Sequence, residues 1–379
     1  QVGKTTLLKN CAPDNYHYVT LDDPQQAALA KADPALFFQR HRPPVIVDEI
    51  QYAPELMRAI KLIVDQAKKP GLFWLTGSQK FHLMQGVTES LAGRVAILEL
   101  IGLSRAEICQ HSTPPFVPGS TWLEQASGKN QKPLALLDLY QHIWRGSFPH
   151  IALDIETSRD LFYNAYIQTY IQRDVRDLTR VGDEHAFLQF LRAAAARAAQ
   201  LLNYADLARD VDIDQKTAKA WLSILETSGI IYLLRPWHNN VNKRLLKTPK
   251  LYFLDTGLCA YLTQWSSPQT LEAGAMNGAI LENWMLLEIL KSYWHNGLQP
   301  HVWFYRDKDK REIDLLLEQD GNLHPVEFKK TASPTLKASR HFSALEKLGV
   351  KVGHGAVICL KEQDVPISRN VDAIPVGYL

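Results

Sequence analysis

Short apolar runs alternate with helical patterns over the first hundred residues of the chain. Glu55–Lys68 carries apolar side chains at helical spacing. Strand-like runs occur on both sides of this segment, at Tyr18–Leu21, Val45–Val47 and Leu72–Leu75. Strands that alternate with helices are typical of an α/β fold with a parallel sheet. We therefore expect an α/β domain over residues 1–112.

The remainder of the chain divides into three predicted segments. Ser112–Pro133 is rich in Ser, Pro, Gly and Lys, so 113–200 is predicted to be an exposed linker followed by a helical region. Within 201–265, a short helix, a polar turn, a second helix and an apolar strand follow each other in the order of a winged helix-turn-helix. After the polar connection Ser266–Gly278, a buried helix and alternating strands predict a small α/β domain within 266–379.

Composition narrows the class of protein. Apolar residues make up 46% of the 379 residues, which excludes wholesale disorder. With 42 basic and 40 acidic residues the net charge is +2, so a chain-wide positive field for nucleic acid is absent. The four cysteines form no C-x-x-C pair, and no apolar run approaches the ~18 residues of a membrane span. We expect a cytoplasmic protein without a membrane partner.

The beginning of the chain has the form of a phosphate-binding loop. Gly3-Lys4-Thr5 runs into Thr6 and an apolar helical pattern, as at the end of G-x-x-x-x-G-K-[ST]. In that motif backbone amides cradle phosphate, the lysine reaches the β- and γ-phosphates, and the hydroxyl holds Mg²⁺. A plain helix N-terminus is the alternative interpretation of so short a motif. The motif predicts ATP-binding residues at Gly3, Lys4, Thr5 and Thr6.

The apolar strand Pro44-V-I-V-D-E supplies the second half of this predicted site. Asp48 would organise Mg²⁺ together with Thr5, and Glu49 would polarise the attacking water. A solvated acidic turn is the alternative. Ser78 follows a third strand, where a polar side chain could contact phosphate or water. Arg94 is a candidate γ-phosphate sensor or trans-acting arginine finger, with an ordinary salt bridge as its alternative.

Four motifs, in this order, resemble those of a family of AAA-type ATPases from bacteria and archaea: G-K-T-T-L, V-I-V-D-E-I-Q, L-T-G-S-Q and S-L-A-G-R. The resemblance extends through Tyr170-I-Q-R-D-V-R-D-L, the winged-helix-like stretch and the C-terminal domain. It implies a P-loop NTPase sheet that binds and hydrolyses MgATP. In that family the loop runs G-x-R-Q-V-G-K-T after an N-terminal strand. We therefore expect this chain to be N-terminally truncated, without the first strand of the sheet and with weakened phosphate binding.

The predicted recognition helix of the winged-helix-like segment is Gln215–Glu226. Its polar side chains available to DNA are Gln215, Lys216, Thr217 and Lys219, and its core side chains are Trp221, Leu222 and Leu225. A denser basic group follows near the predicted wing: Lys243, Arg244, Lys247 and Lys250. Because acidic residues surround the helix and many winged-helix modules contact proteins, a protein contact is the alternative to DNA binding.

Two predicted strands near the end of the chain carry charged residues at a regular spacing. Asp314 lies near the start of one strand, and Glu327 and Lys329 form E-x-K on the next, on one face of that strand. This pattern resembles the core of the PD-(D/E)XK nuclease fold. Glu282 on the preceding helix would complete the set, and Lys330 adds basic character. The resemblance implies carboxylates that bind Mg²⁺ and a lysine that positions water. The alternatives are an inherited salt-bridge cluster and a domain that binds DNA without cutting it.

Taken together, the motifs predict an AAA-type ATPase that binds and hydrolyses MgATP and is coupled to a C-terminal region with DNA as its partner. A protein partner or a second copy of the chain is also compatible with this arrangement. Two other functions stay open at this stage. One is a metal-dependent nuclease, and the other is a non-catalytic binding module regulated by nucleotide.

Overall fold

The computed structural model describes residues 2–77, 91–127, 134–170, 184–238 and 248–379. The described chain forms two compact units, one within residues 1–99 and the other within residues 100–379. Within the described residues, none of the helices combines the length and apolar character needed to cross a membrane.

The first unit is a small α/β layer built on parallel strands. Its strands are β1 His17–Thr20, β2 Val45–Asp48 and β3 Phe73–Leu75, in the order β1-β2-β3. Its helices are α1 Lys4–Cys11, α2 Pro24–Ala32, α3 Pro34–Arg40 and α4 Leu56–Ala67. His17 pairs with Val45, and Val45 pairs with Phe73, both in parallel register. The predicted α/β fold with a parallel sheet is confirmed for these residues.

Local sequence explains the helix boundaries and the central strand of this unit. Asp23 and Asp33 accept hydrogen bonds from the first turns of α2 and α3, and each is followed by a proline at the first helical position. All four residues of β2 are buried, as expected for the middle strand of a parallel sheet. Leu56, Met57 and Ile60 of α4 pack into the core beneath it.

The second unit contains most of the helices. They are α5 Arg105–Ile108, α6 Ser120–Ser127, α7 Leu136–Arg145, α8 Pro149–Leu153, α9 Arg159–Tyr170, α10 Glu184–Ala195, α11 Tyr204–Arg209, α12 Gln215–Thr227, α13 Thr256–Leu262, α14 Pro268–Ala273 and α15 Asn277–Trp294. The longest, α15, is apolar around most of its circumference and is therefore buried along nearly its whole length.

Two sheets complete the second unit. The described part of the smaller one has the order β4-β6-β5, from β4 Gln200–Leu201, β5 Ile231–Leu234 and β6 Lys250–Phe253. The larger is mixed and has the order β12-β13-β11-β9-β8-β7, with β10 beside β9. Its strands are β7 Val302–Arg306, β8 Glu312–Gln319, β9 Asn322–Phe328, β10 Lys351–Val352, β11 Gly355–Cys359, β12 Val365–Ser368 and β13 Val371–Pro375.

The two predicted polar connections contain more structure than their composition indicates. Within Ser112–Pro133 the helix α6 buries Trp122, whose ring meets that of Phe116 edge-on with centroids 4.8 Å apart. Ser266–Gly278 contains α14, which buries Leu271. A few large apolar side chains are enough to anchor a segment otherwise rich in turn-forming residues, so exposure of the whole segment was the wrong expectation.

Candidate functional site

The N-terminus of α1 lies beside the carboxyl ends of the parallel strands. Gly3 caps α1 with φ +81°, a left-handed conformation that glycine adopts without steric cost. Lys4 Nζ donates to the carbonyl oxygen of Gly77, just beyond β3, over 2.7 Å. Thr5 Oγ1 donates to Oδ2 of Asp48, the last residue of β2, over 2.9 Å. The two halves of the predicted phosphate site therefore meet, with Thr6 exposed on the next position of α1.

Asp48 is the buried centre of this group. Asp48 is only 4% exposed. In addition to the Thr5 hydroxyl, its Oδ2 accepts a hydrogen bond of 2.7 Å from Tyr18 Oη on β1. Burial and the neighbouring Asp48 raise the pKa of Tyr18 to about 12, so the phenol remains a donor at neutral pH. Oδ1 is also buried and accepts no hydrogen bond within the described residues. One oxygen of Asp48 is thus held by two hydroxyl groups, while the other has no hydrogen-bond partner among the described residues.

Glu49 and Thr76 flank Asp48. Glu49 has φ +58°, a conformation that is costly for a residue with a side chain and that turns the chain sharply at the end of β2. Gln51 Nε2 donates to Glu49 Oε2. Backbone bonds tie Thr76 to this turn, because its N–H donates to Val47 and its carbonyl accepts from Ile50. Thr76 Oγ1 is buried and unpartnered within the described residues, like Asp48 Oδ1.

These residues fit a magnesium nucleotide. Mg²⁺ prefers oxygen ligands and is commonly held by one or two protein side chains together with phosphate oxygens. Asp48 Oδ1 offers a buried carboxylate oxygen, and the Thr5 hydroxyl lies against the same carboxylate. The Lys4 ammonium, beside them at the start of α1, supplies the positive charge that phosphate needs.

The remaining candidates of the first unit are placed less directly. Ser78 lies outside the described residues. Arg94 forms a bidentate ion pair with Asp65 of α4, with Nε to Oδ1 at 2.5 Å and Nη2 to Oδ2 at 3.2 Å. The salt-bridge alternative therefore describes Arg94 in this conformation, and its role as a sensor or arginine finger stays a prediction.

A second group of charged side chains lies in the second unit, where α15, β8 and β9 meet. The register that pairs Leu315 with Val326 brings Asp314 beside Glu327. Lys329 Nζ lies 2.6 Å from Glu327 Oε2 and 3.5 Å from Asp314 Oδ2. Asp314 Oδ2 also accepts the backbone N–H of Phe328 over 3.0 Å. The three residues predicted from the D…E-x-K pattern are therefore neighbours.

Lys250 joins this group and connects it to Glu282. Its Nζ lies 3.1 Å from Glu282 Oε1, 2.7 Å from Glu312 Oε1 and 3.7 Å from Asp314 Oδ1. The prediction that Lys250 belongs to an exposed basic patch is wrong, because the residue is only 3% exposed at the start of β6. We call Glu282, Glu312, Asp314, Glu327, Lys250 and Lys329 the carboxylate cluster. The other members of the predicted basic patch, Lys243, Arg244 and Lys247, lie outside the described residues.

The electrostatics of the carboxylate cluster follow from burial and from these contacts. Burial and the neighbouring Asp314 raise the pKa of Glu327 to about 9 and that of Glu282 to about 7. Burial opposes the charged form of Asp314 as well, but Lys250 and a hydrogen bond with Glu327 hold its pKa below the ordinary value. Although burial acts against it, the surrounding carboxylates raise the pKa of Lys250. At neutral pH the cluster therefore contains a protonated Glu327 beside a charged Asp314–Lys250 pair.

The cluster in this form does not fit a divalent metal. Lys250 contacts the carboxylates of Glu282 and Asp314, and Lys329 contacts those of Asp314 and Glu327. Within the described ranges, no set of three or more Asp, Glu, His or Cys side chains is arranged to hold a metal ion. The Mg²⁺ ligation expected of a PD-(D/E)XK site is therefore not supported here.

The predicted recognition helix corresponds to α12. Trp221, Leu222 and Leu225 are buried, which confirms the predicted core face. Asp214 caps the helix by accepting from the backbone N–H groups of Lys216 and Thr217. Thr217 Oγ1 donates to the same carboxylate over 2.6 Å, and Lys219 Nζ lies over the ring of Tyr204. Binding of DNA by this helix stays a prediction.

Lys330 was expected to add to a basic surface next to Lys329. Instead its Nζ lies 2.7 Å from Oε1 and 2.9 Å from the backbone carbonyl oxygen of Glu272. Its charge is therefore neutralised locally by Glu272, so these contacts do not support a basic surface at this position.

Sequence reasoning missed two residues that organise the sites. Tyr18 was treated only as part of a strand, although a tyrosine on a strand parallel to β2 is within reach of Asp48. Lys250 was grouped with its basic neighbours in sequence. Its apolar successors Leu251, Tyr252 and Phe253 were the available signal, because a lysine that begins a buried strand is itself drawn inward.

Three family models match successive parts of the chain. Residues 1–109 match a model described as "AAA domain". Residues 136–269 match "Domain of unknown function (DUF8612)", and residues 277–379 match "Domain of unknown function (DUF4143)". The match to an AAA domain supports nucleotide binding by the first unit.

Two curated relatives match along the whole chain. These are "Uncharacterized protein Rv2008c" of Mycobacterium tuberculosis and "Uncharacterized protein Mb2031c" of Mycobacterium bovis, each 29% identical over 388 residues, which cover 100% of this chain and 79% of the relative. The crystal structure of protein VC1899 from Vibrio cholerae matches over 95% of this chain and 94% of that one, at 13% identity and a TM-score of 0.18. The comparisons thus indicate an AAA domain at the N-terminal end, followed by two domains whose family descriptions assign no function.

Proposed function

We propose that the first unit binds ATP together with Mg²⁺ and hydrolyses the γ-phosphate. The observation that carries the proposal is the meeting of Lys4, Thr5 and Asp48, with one buried oxygen of Asp48 unpartnered within the described residues. Leaving a buried carboxylate oxygen without a partner costs about 1–3 kcal/mol. A bound cation would offset that cost, so the free energy of this arrangement is lower with a ligand bound than without one.

Each residue has a distinct part in the proposed reaction. Lys4 exchanges its contact with the Gly77 carbonyl oxygen for one with phosphate oxygens and neutralises their charge. Thr5 and Asp48 would hold Mg²⁺, which would supply positive charge to the phosphate oxygens. Glu49, on the strained turn after Asp48, accepts a hydrogen bond from water and orients it toward the γ-phosphate. Gly3 lets the chain turn so that the first backbone N–H groups of α1 are presented to phosphate.

A glutamate substitution separates binding from hydrolysis. In the full chain, Glu49→Gln is expected to lower phosphate release at least 100-fold while leaving the affinity for a fluorescent ATP analogue within about threefold. Lys4→Ala is expected to weaken nucleotide binding itself. Glu55→Gln is the matched control, because Glu55 is an exposed glutamate at the start of α4.

The outcomes of this experiment distinguish ATP hydrolysis from nucleotide binding without catalysis. Phosphate release that is insensitive to Glu49→Gln contradicts the proposed site. Nucleotide binding without any turnover, in the wild type and in Glu49→Gln alike, favours a non-catalytic module that nucleotide regulates.

The proposed coupling to DNA is a separate step. It rests on the helix-turn-helix order of α11 and α12, in which the polar side chains of Lys216 and Gln215 lie at the start of the second helix. The affinity of the full chain for a DNA duplex is expected to differ between the ATP-bound and the ADP-bound protein. Lys216→Ala is expected to weaken duplex binding by several-fold and to reduce its salt dependence. If duplex affinity depends neither on the bound nucleotide nor on Lys216, DNA is removed from the proposal. A protein or a second copy of the chain then remains as the partner.

DNA cleavage does not form part of the proposed function. Asp314, Glu327 and Lys329 do converge, as a PD-(D/E)XK nuclease requires, but Lys250 and Lys329 already contact the carboxylates that would bind the metal.

A further inference from the structure

The carboxylate cluster is built around a buried ammonium group. Lys250 Nζ has three carboxylate partners, which come from α15 and from two positions of β8. Oxygen ligands from a helix and a neighbouring strand, directed at one central positive charge, are also the arrangement that a divalent cation requires.

We infer that the Lys250 ammonium takes the place of a divalent metal in the carboxylate cluster, and that the cluster does not bind such a metal while Lys250 is present. The carboxylate cluster therefore has a structural role, in which its ion pairs hold β6, α15 and β8 together. The inference concerns the second unit alone and does not depend on ATP hydrolysis by the first.

The position of Lys250 is fixed by its backbone. Lys250 pairs with Leu201 of β4 on one side and with Leu234 of β5 on the other. A residue held by both neighbouring strands cannot move its side chain out of the cluster by a simple loop movement. The Nζ atom also lies 5.8 Å from the centre of the Phe304 ring, which limits its alternatives within the site.

Further contacts bind the same elements together. Tyr252 Oη, two residues along β6, donates to Glu282 Oε1 over 2.7 Å. Asn283, the next residue of α15, exchanges two hydrogen bonds of 2.8 Å with the backbone of Phe253. Neighbouring residues of β6 and α15 are thus paired one after another, and Lys250–Glu282 is one of these pairs. These successive contacts hold β6 against α15, as expected of a group with a structural role.

Each carboxylate of the cluster already contacts a cation. Glu282, Glu312, Asp314 and Glu327 supply the carboxylates, whereas Lys250, Lys329 and Arg306 supply the cations, the last through a contact of 2.9 Å with Glu312. An added divalent ion would be repelled by the ammonium groups already present.

Mn²⁺ binding to the full chain, measured without nucleotide by electron paramagnetic resonance of the free ion, tests the inference. The variants are Lys250→Met, Asp314→Asn, the double variant, and Lys330→Met as a matched control whose lysine is paired outside the cluster with Glu272. Any Mn²⁺ bound at Asp48 contributes equally to all of them.

We expect Lys250→Met to gain one Mn²⁺ site at least tenfold tighter than any second-unit site of the wild type, and the double variant to lose it. Lys330→Met should match the wild type. The inference is overturned if the wild type binds an Mn²⁺ ion that Asp314→Asn removes, or if folded Lys250→Met gains no site. Circular dichroism establishes whether Lys250→Met folds. If it does not fold, the comparison of the wild type with Asp314→Asn decides alone: equal Mn²⁺ binding supports the inference and unequal binding overturns it.

Discussion

Replacing Tyr18 by phenylalanine tests how Asp48 is held. The substitution removes a single hydroxyl group, which donates to Asp48 Oδ2 over 2.7 Å, and keeps the ring that lies under Lys9 Nζ at 3.8 Å from its centre. Thr5 still donates to the same oxygen. The carboxylate therefore loses one of its two hydroxyl donors while its surroundings stay otherwise unchanged.

The size of the effect follows from the exposure of Tyr18. A hydrogen bond to a charged group contributes about 1.5–3 kcal/mol when buried. Tyr18 is 37% exposed, so water partly replaces the lost donor and a value just below this range, about 1.4 kcal/mol, is appropriate. That value corresponds to about tenfold in an equilibrium constant. Groups that orient a metal ligand have effects of about 10–100-fold on metal affinity, which agrees with this estimate.

The assay is phosphate release by the full chain as the Mg²⁺ concentration is varied at saturating ATP. Tyr18→Phe is expected to raise the Mg²⁺ concentration at half-maximal rate about tenfold. The rate at saturating Mg²⁺ should stay within about twofold, because Glu49 and Lys4 are untouched. Nucleotide binding without Mg²⁺ should not change.

Tyr16→Phe is the matched control, since the Tyr16 hydroxyl donates to the carbonyl oxygen of Gly71, which is not among the site residues. An unchanged Mg²⁺ requirement in Tyr18→Phe, or an equal rise in Tyr16→Phe, would refute the assignment of Tyr18 as the residue that positions Asp48. A loss of rate that saturating Mg²⁺ does not restore would refute it as well, because it would indicate general damage to the unit.

Three further predictions concern the second unit. The pKa of Glu327 is raised from 4.5 to about 9 in the folded chain, so between these values the folded chain keeps a proton that the unfolded chain releases. The stabilisation that comes from this proton is therefore complete below pH 4.5 and is lost as the pH rises toward 9. Glu327→Gln should therefore flatten the fall in unfolding free energy between about pH 5 and pH 9, as measured by urea denaturation. Asp255→Ala should lower the unfolding free energy by about 3–5 kcal/mol, because Tyr163 and Ser147 donate to this buried carboxylate, and equal thermal melting of the variant and the wild type would contradict that explanation. Supercoiled plasmid should stay uncut with Mg²⁺ or Mn²⁺, with or without ATP, and nicking that Asp314→Asn abolishes would contradict the metal-free cluster.

The sequence was sufficient to predict those features that local chemistry determines. The strand before Asp48 is apolar throughout because it is the middle strand of a parallel sheet, so both its type and its acidic end could be predicted. The helix α12 carries a capping aspartate and apolar residues at helical spacing, which determined its start and its buried face. The D…E-x-K spacing likewise predicted that Asp314 and Glu327 would lie together, because it is determined by strand alternation and a short turn.

Tertiary structure alone decided what these residues contact. From the sequence, Arg94 could act as a phosphate sensor or form a salt bridge. Only the position of Asp65 on α4 shows that it forms a salt bridge in this conformation. Trp122 converted a turn-rich segment into a packed helix, because burial of one large side chain outweighs weak local preferences.

Lys250 shows the same limit most clearly. In the sequence it follows three basic residues and predicts a surface for nucleic acid, whereas in the fold it is buried among the carboxylates of Glu282, Glu312 and Asp314. The carboxylates lie 32 or more positions away along the chain, so no local pattern relates them to the lysine. The sequence by itself determined which residues carry charge and which elements hold them. The packing of β6 against α15 and β8 determined which charges meet, because electrostatic energy depends on distance in space and on burial.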